Sequence, residues 1–278
     1  MIDAIFVCVN YNNSNETIGY INHINSNLKD NDFNILVVDN SEDELEIKKL
    51  ISFIENSLNK NIFVVKARKN LGYFSGMQFG IDFYVKNIGD LPKIIVICNT
   101  DIIIQSKDIL QLSLNIFKNK NIAIIAPKIT LKKNSKEQNP FLITRPSYKK
   151  LIFLKFIYSN QLLNNLHNFL YKKIKRNLKV NTKEKRISNP YIYAPHGSFI
   201  IINSIFFEKG GSLNYKGFLF GEEIYLGEQT FKLGMKIKYF SNINIIHTEN
   251  AVTRFIESSK KRILKLNSIN FLIKYLYN

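Results

Sequence analysis

Polar residues capable of chemistry follow three of the short apolar runs in the first hundred residues. They are Asn10 and Asn12 after the first run, Asp39 after the second, and Asn99, Thr100 and Asp101 after the fourth. A carboxylate at a strand tip can bond a nucleobase edge or a ribose, and an oxygen ligand such as that of Asp101 suits Mg²⁺ or Mn²⁺ bridging a diphosphate. A turn or a helix cap explains Asp39 equally well when that residue is taken alone.

The third apolar run is followed by a glycine-containing segment that begins at Arg68. Gly72, Gly76 and Gly80 recur at a spacing of four, which allows close backbone approach to a ligand or to a sheet. Arg68 or Lys69 can meet a phosphate. The segment does not match the GxGxxG pattern of a dinucleotide fold.

The second half of the chain adds two acids and two histidines. Glu222 and Glu223 open a predicted helix, where they could accept a proton or simply favour the helix dipole. His247 ends an apolar run, so a core histidine and a metal ligand are both open interpretations. His196 precedes Gly197 and is a weaker candidate.

The residues between these positions predict alternating strands and helices. Short β-branched runs occur at Ala4–Val9, Ile35–Val38, Ile62–Val65, Ile94–Cys98 and Ile122–Ala126, with helical stretches near 14–29, 43–58, 72–87 and 107–119. Asn13 and Glu16 resemble a capping box at the first helix. The alternation predicts an open α/β sheet with right-handed crossovers and a ligand site at the carboxyl ends of its strands.

After Pro127 the pattern changes. Residues 131–189 are rich in Lys and Asn, with an apolar cluster at Leu151–Tyr158 and a run of helical period from Leu162 to Tyr171. The remainder predicts a strand-like stretch Tyr191–Ile202, a turn at Phe206–Gly211, a helix at Glu222–Leu233, strands at Lys236–Tyr239 and Ile243–His247, and an amphipathic helix over 257–277 whose apolar stripe is Ile263, Leu266, Ile269, Ile273 and Leu276.

The order of these motifs resembles the family-2 glycosyltransferases of the GT-A fold, particularly their bacterial rhamnosyltransferase-like branch. The motifs are Val9-Asn10-Tyr11-Asn12, Val37-Val38-Asp39-Asn40-Ser41, Asn70-Leu71-Gly72, Asn99-Thr100-Asp101, Gly197-Ser198-Phe199, Gly221-Glu222-Glu223 and His247. The resemblance implies one mostly parallel twisted sheet flanked by helices. It divides the chain into a nucleotide-sugar-binding half (1–130), a basic insertion (131–189), an acceptor and catalytic-base half (190–250) and a C-terminal amphipathic helix (251–278).

The resemblance also implies a function. It predicts an inverting, Mg²⁺- or Mn²⁺-dependent transfer of a hexosyl or rhamnosyl group from a UDP- or dTDP-sugar to a glycan or lipid-linked glycan. The setting it implies is bacterial surface polysaccharide synthesis, of lipopolysaccharide or capsule. Glu223 falls on the general base, Asp101 and His247 on the metal ligands, and His196, Gly197 and Glu222 on the acceptor side or in support of the site. The residues it assigns to the nucleotide sugar are Asn10, Asn12, Asp39, Arg68, Asn70, Gly72, Gln78, Asn99 and Thr100.

The sequence departs from the family pattern at three places. Asn99 stands where the first metal-motif acid is expected, which leaves Asp101 as the principal carboxylate. Glu223 replaces a shorter Asp, and Tyr225 replaces the second acid of the same motif. Gln229 stands where an Arg is often found. These changes affect the acceptor geometry more than the chemistry, because Glu is as competent a base as Asp.

Charge is concentrated in two stretches. The 278-residue chain carries a net charge of +17; residues 145–186 hold 12 basic residues against one acid, and residues 254–278 hold 6 basic residues against one acid. Apolar residues interleaved with lysines there predict a helix lying on an anionic membrane surface, with contact between copies of the chain as the alternative. A basic nucleic-acid-binding protein is a rival class, but no motif of that class occurs and no nucleic-acid partner is expected. A sugar nucleotidyltransferase is a second rival, and its Gly-rich basic signature after the first strand is missing.

Cysteine usage and hydropathy predict the compartment. Cys8 and Cys98 lie inside apolar runs, which indicates buried thiols in a reducing environment. No run approaches the roughly 20 apolar residues of a membrane span, and the N-terminus does not match a signal peptide. We expect a cytoplasmic protein, peripheral at the inner face of the cell membrane if the basic stretch binds lipid.

Overall fold

A computed structural model describes residues 2–57, 59–177, 189–249 and 257–277 of the chain, without the side chains of 171, 172 and 174–177. The strands in these ranges are β1 (Ala4–Asn10), β2 (Phe33–Asp39), β3 (Ile62–Lys66), β4 (Ile94–Cys98), β5 (Ile102–Ile104), β6 (Ile122–Leu131), β7 (Tyr191–Ile192), β8 (Phe199–Asn203) and β9 (Lys236–His247). The helices are α1 (Ser14–Asn27), α2 (Glu44–Glu55), α3 (Tyr73–Asn87), α4 (Ile109–Phe117), α5 (Tyr148–Ser159), α6 (Gln161–Asn177), α7 (Ser204–Glu208), α8 (Glu222–Lys232) and α9 (Ser258–Tyr277).

All the described strands belong to a single sheet in the order β3-β2-β1-β4-β8-β6-β9-β5, with β7 paired to β9. β1 is parallel to β2 and β4, β2 is parallel to β3, and β6 is parallel to β9. β8 runs antiparallel between β4 and β6. The mostly parallel sheet is therefore confirmed, and the reversed strand β8 joins its two halves.

Alternate residues of each central strand enter two different cores because both faces of the sheet are covered. Ile5 and Val7 pack with α3, α8 and α9 on one face, whereas Phe6 and Cys8 pack with α1, α2 and α4 on the other. All four side chains are fully buried. This double coverage explains why the strands read as continuous apolar runs.

The glycines of α3 set that helix against the sheet. A Cβ atom at Gly80 would lie 2.6 Å from Val38 Cγ2, and one at Gly76 would lie 3.1 Å from Val9 Cγ2. Of the two roles open for these glycines, packing on the sheet is the one that the structure supports. The start of α3 is thereby held against the tips of β1 and β2.

α9 is tied to α8 and to the segment before α5 by Arg145. Its guanidinium donates to both carboxylate oxygens of Glu228 in α8, at 2.8 and 2.9 Å, and to the carbonyl of Leu276, at 2.7 Å. It also stacks over the Tyr277 ring at 4.6 Å. Glu228 is buried, so this pairing compensates a charge that would otherwise be costly in the interior.

Four local predictions need correction. Residues 204–208 form a helix where a turn was predicted, and the two strands predicted between Lys236 and His247 are one strand with a register shift against β6. Asn13 makes no side-chain capping bond, so the capping box is wrong. The buried stripe of α9 runs through Ser268, Ile269, Leu272 and Leu276, while Ile263 is exposed. Residues 251–256 of the predicted C-terminal helix lie outside the described residues.

The two cysteines are buried and free, as predicted. They lie opposite each other on β1 and β4, and burial raises the pKa of both thiols. None of the helices in the described ranges combines the length and the hydropathy needed to cross a bilayer.

Replacing Gly80 with Ala should lower the free energy of unfolding by about 1–3 kcal/mol, because the added methyl group overlaps Val38. Gly19→Ala is the matched control on α1, since no atom lies within 4 Å of the place that its added methyl group would occupy. There the substitution should stabilise the protein by about 0.5–1 kcal/mol through helix propensity. Urea unfolding of both variants measures this difference, and equal effects would contradict the packing role of Gly80.

Candidate active site

The tips of β1, β2 and β3 are held together by the carboxylate of Asp39. Its Oδ1 accepts hydrogen bonds from Asn10 Nδ2 at 2.7 Å and Ser41 Oγ at 2.6 Å, and its Oδ2 accepts from Lys66 Nζ at 2.8 Å. Asp39 and Asn10 are buried, whereas the Lys66 side chain is 27% exposed. Contact of Asp39 or Asn10 with a nucleobase stays a prediction, and Oδ2 of Asp39, which accepts from Lys66, has the capacity to accept a further hydrogen bond.

Gly72 begins α3 in a conformation that a side chain would not tolerate. Its φ is +80°, and a Cβ atom there would lie 2.5 Å from the carbonyl oxygen of Phe218. Asn70 Oδ1 accepts from the Gly72 N–H at 2.9 Å, and Asn40 Nδ2 donates to the Gly72 carbonyl at 2.9 Å. The predicted motif Asn70-Leu71-Gly72 thus forms the turn that brings α3 to the strand tips.

Two residues that are predicted to contact the nucleotide lie on the exposed surface next to this turn. Arg68 is exposed and forms no hydrogen bond or ion pair with the described residues. Asn12 is exposed and has a φ of +53°, and its N–H donates to Ser41 Oγ at 2.8 Å. Both side chains are therefore available to a ligand, and their roles stay predictions.

Gln78 does not belong to this group. Its amide oxygen accepts from the Leu213 N–H at 2.7 Å, and its amide nitrogen donates to Asp82 at 2.8 Å. The structure therefore places Gln78 in the contact between α3 and residues 212–213. Its contact with the nucleotide sugar stays a prediction, and such a contact would compete with these two bonds.

Asp101 and His247 lie side by side, although 145 residues of sequence separate them. Asp101 follows β4 and His247 ends β9, which pairs with β5 at the Ile102–His247 position. The Oδ1 atom of Asp101 is 3.1 Å from Nε2 of His247, and both residues are buried. The sheet thus brings together the two predicted metal ligands.

Both ring nitrogens of His247 have polar neighbours. Nδ1 lies 2.8 Å from Oε1 of Gln138, an amide oxygen that can only accept, so Nδ1 donates to it. Nε2 lies 3.1 Å from Oδ1 of Asp101 and 3.4 Å from the amide nitrogen of Asn99. An imidazole nitrogen beside a carboxylate oxygen is a combination of ligand types that a divalent cation accepts.

The spacing of these two atoms fits a divalent cation. Ligand atoms about 2.1 Å from a cation, in neighbouring octahedral positions, lie about 3 Å apart. In the described part of the chain no cluster of three His, Cys, Asp or Glu residues could complete such a site. Mg²⁺ commonly takes its other ligands from substrate phosphates and water, so a site with two protein ligands is compatible with that cation, and the role of Asp101 and His247 stays a prediction.

Thr100 and His196 border this pair. Thr100 Oγ1 donates to Glu16 Oε1 at 3.0 Å, which fixes the loop after β4 against α1. The His196 ring lies 6.0 Å from the His247 ring, and its Nδ1 is 2.9 Å from Ser198 Oγ. Burial, aided by the neighbouring His247, lowers the pKa of His196 to about 4. His196 is therefore a neutral imidazole at physiological pH.

The two acids predicted near the acceptor begin α8, directly after Gly221. A Cβ atom at Gly197 would lie 3.1 Å from Glu223 Oε1, so Gly197 allows the carboxyl group to approach the backbone closely. The hydroxyl of Tyr73, the first residue of α3, donates to the Gly197 carbonyl at 3.0 Å. The His196-Gly197 turn thus connects the metal ligands, the acids of α8 and the start of α3.

Burial dominates the electrostatics of the acid pair. It raises the pKa of Glu222 to about 8, with a further contribution from the neighbouring Glu223, and it also raises the pKa of Glu223. A backbone hydrogen bond from Gly197 acts in the opposite direction on Glu223. Burial and the proximity of the two carboxyl groups therefore favour retention of a proton by this pair near neutral pH.

Tyr225 and Gln229, the two departures in this helix, have structural roles. Tyr225 packs among the rings of Tyr215, Phe271 and Tyr275. The side chain of Gln229 bonds the backbone of Ser212 as donor and as acceptor. Neither residue contributes a charge to the site.

Residues that the sequence analysis missed also build the site. Gln138 orients His247, and Asn139 Oδ1 accepts from the His196 N–H at 2.7 Å. Both lie at the start of the predicted basic insertion, where no sequence pattern marks them. Lys66 was missed because a lysine ending a strand reads as an ordinary surface residue.

The comparisons with known proteins concern the fold. The sequence matches no protein-family model and no curated protein. The crystal structure of GalNAc-T7 with UDP, GalNAc and Mn²⁺ superimposes with a TM-score of 0.58 and 13% identity, covering 89% of this chain and 44% of that one. The mannosyltransferase PcManGT from Pyrobaculum calidifontis, in complex with GDP-Man and Mn²⁺, gives a TM-score of 0.56 and 9% identity, covering 98% of this chain and 69% of that one.

The chain has the fold of these transferases, an α/β architecture of the GT-A type with one open sheet flanked by helices. It spans less than half the length of the first of the two proteins. At these identities the likeness concerns the backbone architecture alone.

The raised pKa of Glu222 predicts a pH dependence of stability. The folded state holds this proton up to about pH 8, whereas an unfolded Glu releases it near 4.5, so stability falls as pH rises between these values. Glu222→Gln should flatten that decline and unfold at higher denaturant concentration than wild type near pH 8. Denaturant titrations across this range test it, with the exposed Glu42→Gln as a control whose slope should equal that of wild type. An unchanged slope in the Glu222 variant would contradict the assignment.

Proposed function

We propose that the protein is a divalent-metal-dependent, inverting glycosyltransferase. The observation that carries the proposal is the convergence, within a GT-A fold, of the Asp101–His247 pair and Glu223 on the turn at His196-Gly197. The Asp101–His247 pair suits a cation bound to a diphosphate, and Glu223 suits proton abstraction from an acceptor hydroxyl. Sugar transfer from a metal-bound nucleotide diphosphate uses both groups in one reaction.

The donor, a nucleotide-diphosphate sugar, binds along the carboxyl ends of β1 to β4. Asp101 and His247 would hold Mg²⁺ or Mn²⁺, whose bound form neutralises charge that grows on the departing diphosphate. Arg68 is exposed close to the Asn70 turn and supplies a cation for a phosphate oxygen. The Mn²⁺ in both structural neighbours is consistent with this choice of metal.

Glu223 acts on the acceptor as general base. A sugar hydroxyl is a poor nucleophile at neutral pH, so a carboxylate must remove its proton as the oxygen attacks the anomeric carbon. Burial raises the pKa of Glu223, which makes its carboxylate a stronger base than one in water. The Gly197 backbone holds the carboxylate in place.

The inverting mechanism is proposed from the sequence resemblance, and the placement of the base and the leaving-group ligands on different elements supports it. The base comes from α8, and the ligands of the leaving group come from β4 and β9. Attack from the side of Glu223, opposite the diphosphate, inverts the anomeric carbon. His196 lies beside His247 and its lowered pKa keeps it neutral, so it adds no second positive charge next to the proposed metal site.

The finer assignments depend on the sequence resemblance. They are a UDP- or dTDP-linked hexose or rhamnose as donor, a glycan or lipid-linked glycan as acceptor, and a role in bacterial surface polysaccharide synthesis at the inner face of the cell membrane. Calorimetric titration with UDP-, dTDP- and GDP-sugars in the presence of Mn²⁺ distinguishes the donors. Failure of all three to bind would contradict the proposed function.

Asp101→Ala should abolish the Mn²⁺ dependence of UDP or dTDP binding while leaving the fold intact, because it removes the carboxylate from the cation. The measurement is nucleotide titration with and without Mn²⁺, with circular dichroism to check the fold. Asp90→Ala, which removes an exposed carboxylate near the opposite ends of the strands, is the control and should bind as wild type does. Undiminished metal dependence in the Asp101 variant would show that another residue binds the metal.

Glu223→Gln should keep donor binding and lose turnover by about 10²–10⁴-fold, because the amide preserves shape but cannot accept a proton. Glu222→Gln is the matched variant and should retain most turnover, since Glu222 is already protonated near neutrality. Donor consumption with a panel of glycan acceptors measures both. The opposite ranking of the two variants would assign the base to Glu222.

A further inference from the structure

α6 is oriented with its apolar side outward. Leu162, Leu166, Phe169 and Leu170 are exposed by 77, 54, 64 and 46%, respectively. Asn164, on the opposite side of the same helix, is buried at 6%. An ordinary surface helix has the reverse arrangement, because burying apolar side chains is what stabilises its docking. This outer face of α6 is therefore an apolar stripe without a partner among the described residues.

α5, the preceding helix, also exposes large apolar side chains. It is joined to α6 through Asn160 alone, and its Phe153 and Phe156 are 55 and 61% exposed. Leu151 and Ile157 of the same helix are buried, so α5 is well anchored while it presents its aromatic rings. Solvent-exposed apolar groups in two consecutive helices mark an interaction surface.

The charge around this surface selects the partner. From Gln138 to Lys183 the sequence contains no acidic residue, and Lys149, Lys150 and Lys155 of α5 are exposed. A second copy of the chain would bring like charges together in a symmetric contact, which opposes association. An anionic lipid surface offers complementary charge and an apolar layer for the leucine and phenylalanine side chains.

We propose that the outer face of α6, together with Phe153 and Phe156 of α5, docks on an anionic membrane surface, with the apolar side chains below the headgroups and the lysines among them. This inference does not depend on the proposed transfer reaction. It assigns membrane contact to these exposed apolar side chains and not to the basic charge alone.

α9 links the proposed docking surface to the residues that precede α8. Arg262 of α9 donates from Nε to Gln161 Oε1 at 2.8 Å and from Nη1 to the Tyr158 carbonyl at 2.5 Å, which ties α9 to α5 and α6. Ser268, two turns along α9, is hydrogen-bonded to Tyr215 at 2.6 Å and to the carbonyl of Phe220, just before Glu222. A rigid helix therefore connects the docking surface to the start of α8.

The test is co-sedimentation of the full chain with vesicles of phosphatidylcholine, with and without phosphatidylglycerol. Wild type should sediment with the anionic vesicles only, and less at high salt. The variant Leu162→Gln, Leu166→Gln, Phe169→Gln keeps every charge and should lose at least about tenfold in partitioning, because apolar insertion is removed. The variant Leu45→Gln, Val85→Gln alters exposed apolar residues elsewhere and should bind as wild type does.

Each other outcome counts against the proposal. Equal sedimentation of wild type and the triple variant would overturn insertion of the α6 face. A fall in molecular mass by light scattering for the triple variant, without any change in vesicle binding, would assign the face to a contact between copies of the chain. Because no sugar nucleotide is present, failure here leaves the transferase proposal unaffected, and donor titration tests that proposal separately.

Discussion

The buried carboxylate of Asp39 holds together the strand tips along which we propose that the donor binds. Asp39 is fully buried, and its carboxylate accepts bonds from Asn10, Ser41 and Lys66, which belong to three different segments at the sheet edge. A buried carboxylate deprived of its partners typically costs about 3–5 kcal/mol, so the tips of β1, β2 and β3 cannot separate cheaply. The position of the Asn70-Gly72 turn, and with it the start of α3, follows from that constraint.

The proposed acceptor-binding region is organised by the turn at His196-Gly197, where four segments meet. Gly197 lies against Glu223, accepts a bond from Tyr73 and follows His196, whose N–H is held by Asn139. The proposed base and the proposed cation ligands thus lie around one turn that is held by backbone contacts. Backbone contacts do not depend on the side chain at position 223, so a Glu can stand where the sequence resemblance expects a shorter Asp.

The sequence predicts the parallel half of the fold well because each strand there is buried on both faces and bounded by turn residues. It fails where tertiary contacts override local pattern. β5 has three residues and exists because it pairs with β9, and the helix at Ser204–Glu208 is capped by Asn203. The pairing of Asp101 with His247 could be expected only from the resemblance. Gln138 and Asn139 carry no signal at all, because an amide that orients a histidine looks like any loop residue.

The contact between α9 and the start of α8 has a consequence for biosynthesis. Gly221 leaves no room for a side chain because Ser268 and Leu272 pack against it, and the Phe220 carbonyl before it accepts a bond from Ser268. Of the described elements, α9 is the last to leave the ribosome. The turn that precedes Glu223 therefore lacks its packing contacts with α9 until α9 has been synthesised. Under the proposed function, the base Glu223 would therefore be positioned for proton abstraction only after α9 has docked.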